Sequence, residues 1–131
     1  MENINSYKYL KFENFMNSKE IFEKGKNLAV QKGKHEMRSD YIGPSSVGGD
    51  FSIYGDSYVF GKNGLKIKYF KGSFDDDSGK WELLEVHHRE SLFRRKKKVY
   101  SFHSDRKGRV KEFVSPTGDW QGKLEKFSIE N

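Results

Sequence analysis

The sequence predicts a mainly β fold of α+β type: an antiparallel meander of about seven strands, closed into a barrel or strongly curved sheet, behind a helical N-terminus. Three observations predict it. Residues 1–32 carry apolar side chains at helical spacing, whereas 50–130 carry them at strand spacing. Turn signals recur at short intervals through the second part. No connection between the strand-like runs is long enough for a crossover helix, so neighbouring strands should be antiparallel. The 131 residues fit one domain. Eleven Phe, seven Tyr and two Trp supply large apolar area although only 34% of the chain is hydrophobic.

In chain order, Ile4, Tyr7 and Leu10, followed by Phe12, Phe15 and Met16, mark an apolar side of a first helix. Asn17-Ser18-Lys19-Glu20 has a capping residue with Glu three places on. Ile21, Phe22, Gly25, Leu28 and Ala29 then form the apolar face of a second helix, ended near Gly33. Residues 33–49, with Gly43-Pro44-Ser45-Ser46 and Gly48-Gly49, read as a loop.

Strands are expected over 50–54, 57–61, 65–73, 80–88, 93–104, 109–114 and 119–129. Asn63-Gly64 is the strongest hairpin signal, because a type I′ turn needs positive φ at both central positions. Asp77-Ser78-Gly79, Arg106-Lys107-Gly108 and Pro116-Thr117-Gly118-Asp119 supply further turns. Leu65, Ile67 and Tyr69 alternate with Lys66 and Lys68, so the first set should point inward.

The strand 80–88 is ambiguous. Trp81 and Leu83 share a face with Glu85 and His87; Leu84 and Val86 share the other with Lys80, Glu82 and His88. With Trp81 and Leu83 inward, Glu85 and His87 would enter the barrel or its mouth, where ionisable groups need a partner or a ligand. Trp81 and Leu83 are the expected inward pair; with Leu84 and Val86 inward instead, that stripe faces solvent. Five consecutive cations follow, Arg94 to Lys98. On an uninterrupted strand Arg94, Lys96 and Lys98 would accompany Tyr100 and Phe102, and Arg95 and Lys97 would accompany Val99, Ser101 and His103. Such a run suits either an edge strand guarded against aggregation or an anion site.

Several chemistries are excluded. Without cysteine there is no disulfide framework, thiol nucleophile or iron–sulfur site. His87 and His88 point to opposite faces of a strand and cannot chelate one ion together. Asp75-Asp76-Asp77-Ser78-Gly79 lacks the alternating ligands and closing Glu of a calcium loop. No helix follows Gly61-Lys62-Asn63-Gly64 to present its amides to a phosphate. No run approaches the roughly 18 apolar residues of a membrane span, and the start lacks a secretory leader, so a cytoplasmic protein without membrane association is expected.

Short segments resemble the T-type phycobiliprotein lyases. These are Asn17-Ser18-Lys19-Glu20-Ile21-Phe22-Glu23, Trp81-Glu82-Leu83-Leu84-Glu85, Phe93-Arg94-Arg95-Lys96 through Val99-Tyr100, and Trp120-Gln121-Gly122. The resemblance implies a lipocalin-like barrel that chaperones an open-chain tetrapyrrole, a bilin, onto an acceptor phycobiliprotein. It also implies a carboxylate, Glu85, near the pyrrole nitrogens and a cation, Arg94, near the propionates. The expected ligand-binding set is Trp81, Glu85, His87, Arg94, Lys96 and Tyr69, with no catalytic residue and no metal.

Two other functions fit the same residues. The net charge of +6, with Arg94 to Lys98 beside Tyr100 and Phe102, suits a nucleic-acid-binding β module that stacks bases. His87 and His103, aided by Glu85 and Lys97, could serve a toxin-like metal-independent ribonuclease if their strands place them together.

Overall fold

The computed structural model describes residues 16–43, 51–74, 80–104 and 109–130. Helix α1 (Ser18–Lys32) precedes six strands, β1 (Lys34–Gly43), β2 (Phe51–Lys62), β3 (Leu65–Phe74), β4 (Lys80–His88), β5 (Lys97–Ser104) and β6 (Val110–Val114). Helix α2 (Trp120–Ile129) follows β6. The strands form one antiparallel meander in sequence order, an open sheet with β1 and β6 at its edges. The expected barrel is therefore replaced, among the described residues, by a six-stranded sheet carrying two helices. No described helix is long and apolar enough to cross a membrane.

Helix α1 starts where its capping chemistry places it. The Asn17 side chain accepts a hydrogen bond from the Glu20 amide at 2.9 Å and donates one to the Glu20 carboxylate at 3.0 Å. Ile21, Gly25, Leu28 and Ala29 form its buried face. The expected first helix over 4–16 lies outside the described residues, except for the buried Met16.

The β2–β3 hairpin turns at Asn63-Gly64 with φ of 48° and 82°, the positive values a type I′ turn requires. That turn sets Tyr58 opposite Tyr69 and Phe60 opposite Ile67, and Leu65, Ile67 and Tyr69 are buried as the alternation predicts. The two short strands expected at 50–54 and 57–61 are one strand. The chain continues through Gly55 because it lies against Lys71 and Gly72, where a Cβ would come within 1.9 Å of the Lys71 carbonyl oxygen. The loop expected at 33–49 is replaced over 34–43 by β1, an edge strand paired to β2 from Lys34↔Val59 to Gly43↔Phe51.

The strand expected over 119–129 is instead α2. Trp120, Leu124 and Phe127, spaced four and three residues apart, form one buried helical face. They join Ile21, Leu28 and Ala29 of α1 over Leu65, Ile67, Leu84, Val86 and Tyr100 of the sheet. Polar ties fasten the two helices. Gln121 accepts from the Met16 amide at 2.8 Å, Tyr100 donates its hydroxyl to the Ser18 carbonyl at 3.1 Å, and Lys32 donates to the Phe127 carbonyl at 3.2 Å.

Candidate functional site

With both helices on one face, the sheet divides its side chains into a helix-covered set and an open set. Strand β4 gives Leu84, Val86 and His88 to the covered face. Leu84 lies opposite Tyr69 and Phe102, and Val86 opposite Ile67 and Tyr100, so apolar partners on both neighbouring strands select this set. The expectation that Trp81 and Leu83 face the main core is corrected. Trp81 is nevertheless buried, in a separate small cluster with Phe70 and the half-buried Leu83 on the open face. Its indole donates to Nε2 of His103, which stacks edge-on at 4.9 Å between ring centroids.

Tyr69, Glu82 and His88 of the covered set have partners. Tyr69 donates to Glu82 at 2.6 Å, and Lys26 of α1 lies 3.9 Å from the same carboxylate. Burial, reinforced by that carboxylate, pushes the Tyr69 hydroxyl well above the usual phenol range. His88, 3% exposed, has its Nε2 at 3.0 Å from the Lys123 ammonium and 3.4 Å from the Asp119 carboxylate. Burial holds the His88 imidazole below its usual pKa and Lys123 adds to this, while Asp119 and Glu90 pull the other way.

On the open face, Glu85 and His87 stand side by side as the alternation of β4 requires, 3.4 Å apart. Lys98 approaches the other oxygen of Glu85 at 3.7 Å. Cross-strand register builds a row Lys66–His87–Lys98 and a second row Lys68–Glu85–Ser101 across β3, β4 and β5. Lys98 reaches this face because a bulge interrupts the β4–β5 ladder, leaving His87 opposite Lys98 and Val86 opposite Tyr100. The face shared by Lys98, Tyr100 and Phe102 in the sequence reading is thereby split. Tyr100 is buried in the core, and Phe102 packs against it.

Three of the expected site residues do not join the others. Trp81, Glu85 and His87 lie on one stripe, but Tyr69 is on the opposite face of the sheet. Arg94 and Lys96 precede β5, in a connection over 89–96 that is exposed from Glu90 onward. There, the Arg94 amide donates to the Ser91 carbonyl at 3.1 Å, closing a turn whose central residues are Leu92 and Phe93. The Arg89 amide donates to the Gly64 carbonyl at 2.9 Å and ties the base of the connection to the β2–β3 turn. Leu92 is 87% exposed and Phe93 98%.

The ribonuclease pair also fails to converge. His103 lies opposite Leu83, four residues along β4 from His87, so the two rings are separated by roughly 13 Å at about 3.3 Å per residue. A general acid and a general base acting on one phosphate must each reach it by a hydrogen bond. His103 is already engaged with Trp81.

No family model, no curated protein and no solved structure matches the chain.

Sequence reasoning finds the cation run and the Glu85–His87 stripe but misses the apolar pair at the turn. The missed signal is Ser91-Leu92-Phe93-Arg94 itself. Turn centres favour Gly, Pro, Asn, Asp and Ser for conformational reasons, and Leu-Phe satisfies none of them.

Proposed function

We propose that this protein binds nucleic acid through the phosphate backbone, without reading sequence. The observation that carries this reading is the charge of the β4–β5 connection and its continuation onto the open face. Residues 89–98 hold six cations, Arg89, Arg94, Arg95, Lys96, Lys97 and Lys98, against one carboxylate, Glu90. The chain's whole net charge is +6. Lys98 continues this segment onto the sheet in the row Lys66–His87–Lys98, with Glu85 3.7 Å away. Such a track matches a polyanion, whose affinity comes from displaced counterions.

The aromatics of β3 to β5 argue for backbone binding over base readout. Tyr100 is buried and Phe102 is packed beneath the helices, and Trp81 and Phe70 are buried within their own cluster. None of the four offers a free face on which a base could stack. Binding of a fluorescein-labelled oligonucleotide, followed by anisotropy, tests the reading. Lys96→Glu with Lys97→Glu should weaken it by about tenfold or more for oligonucleotides of different sequence alike. Equal affinity of the variant and the wild type would place the contact elsewhere.

A bilin-type ligand is the second reading. Its support is the Glu85 carboxylate between His87 and Lys98, on the stripe that carries Trp81. A carboxylate there could accept from pyrrole N–H groups while Lys98 pairs with a propionate, and an acceptor phycobiliprotein would then be the partner. A sharpened, red-shifted absorption band on mixing with a bilin, lost in Glu85→Gln, would support it; an unchanged spectrum would dismiss it.

A further inference from the structure

We infer that the Leu92–Phe93 turn is a wedge that enters between stacked base pairs, so that the nucleic acid bound is a duplex opened at one step. This rests on the backbone-binding reading above and adds what its charges cannot supply, a preference for the form of the nucleic acid.

The two side chains do nothing for the fold. At 87% and 98% exposure they bury almost no area within the chain, so stability does not account for them. Isolated exposed apolar residues are ordinary on protein surfaces. Here two are adjacent and occupy both central positions of a hydrogen-bonded turn. That turn is closed by the Ser91–Arg94 hydrogen bond, and the chain leading into it is tied by the Arg89 amide on Gly64. The pair therefore sits on a closed turn with an anchored N-terminal base, which reduces the ordering that insertion requires.

The arrangement of charge names the occupant. Arg94 begins the cation run directly beside Phe93, and each following residue lies further along the chain from the tip. Lys98 lies five positions on from Phe93, a reach of up to roughly 17 Å for extended chain. Beyond Lys98, the row runs across the sheet through His87 to Lys66, with the Glu85 carboxylate beside Lys98 and His87. An apolar tip followed directly by five consecutive cations, with only Arg89 before it in the connection, fits a protein arm that follows a duplex backbone and inserts its end between base steps. Leu and Phe are among the side chains that serve as such wedges, and the unstacking they cause kinks the duplex and widens its contact with the protein.

A short duplex with 2-aminopurine at a central TA step, a step that unstacks readily, tests the inference. Binding of the wild type should raise the 2-aminopurine fluorescence. The double variant Leu92→Ala, Phe93→Ala should lose that rise, and its duplex affinity should fall about tenfold, as expected when a stacking side chain is removed. Its salt dependence should stay unchanged, because no cation is lost. Its urea midpoint should match the wild type, since both side chains are exposed. Duplex binding without any fluorescence change would overturn the wedge and leave backbone binding standing. Absence of binding to duplex and single strand alike would overturn both. Sedimentation with phosphatidylserine vesicles that depends on Leu92 and Phe93, without duplex unstacking, would overturn the wedge and reassign the tip to an anionic membrane surface.

Discussion

Gly25 of α1 packs directly against Leu84 of β4, and substituting it tests how the two are packed. A Cβ at Gly25 would stand 2.8 Å from Cδ2 of Leu84 and 3.5 Å from its Cδ1. In an unhindered helix interior, Gly→Ala stabilises by about 1 kcal/mol. Here the new methyl must push a fully buried leucine, and overpacking of this kind costs about 1–3 kcal/mol. Gly25→Ala should thus be neutral to about 2 kcal/mol destabilising. Leu84→Ala alone should cost about 2–5 kcal/mol, because Leu84 has no exposed surface. In the double variant the methyl added at position 25 moves into space that the Leu84 side chain vacates. The combined cost should fall short of the sum of the single costs by about 1 kcal/mol or more, beyond the few tenths seen for independent sites. Urea denaturation of the four proteins measures this coupling. Additivity within about 0.5 kcal/mol, or a full stabilisation by Gly25→Ala, would show that α1 does not rest on β4 at this position.

Ile67→Ala, at a fully buried position between Phe60 and Val86, should cost about 2–5 kcal/mol in the same assay; a loss under about half a kcal/mol would show the β2–β3 register to be wrong. Stability should fall as pH is lowered below the ordinary imidazole value of 6.5, because the folded His88 resists protonation and the unfolded chain then binds the extra proton. The contribution is fully present above 6.5, and the difference in pH slope between wild type and His88→Phe isolates it; equal slopes would show that His88 titrates normally. Arg94→Ala with Arg95→Ala should make the slope of log K against log salt shallower by about 2 for a duplex; an unchanged slope would mean that these guanidinium groups do not touch phosphate.

The parts of the fold legible in the sequence are those fixed by local chemistry. Asn17 and Glu20 form the cap their spacing allows, and Asn63-Gly64 forms the turn its positive φ values demand. The parts missed depend on partners distant in sequence. β1 has little apolar content near its start, Lys34-His35-Glu36, and is a strand because β2 offers it an unpaired edge. In β4 both faces mix apolar and polar side chains, and the choice rests on Tyr69, Ile67, Tyr100 and Phe102 across the ladder. Glu82 and His88 enter the covered face because Tyr69, Lys26 and Lys123 meet them there. By contrast, the helical spacing of Trp120, Leu124 and Phe127 is present in the sequence, and a strand reading of that segment passes over it. Of the candidate site, the Trp81–Glu85–His87 stripe survives because alternation along one strand needs no outside information. The placement of Arg94 and Lys96 does not survive, because β5 begins only at Lys97 and a bulge then shifts the faces.

Equilibrium binding of the intact protein to a labelled duplex from about 50 to 200 mM salt tests backbone recognition most directly. With about five of the cations in 89–98 on phosphate, log K should fall with log salt at a slope of about −4 to −5, a loss on the order of 10²–10³ in affinity over that range. No binding at the lowest salt, or binding whose strength does not change across the series, would contradict the account.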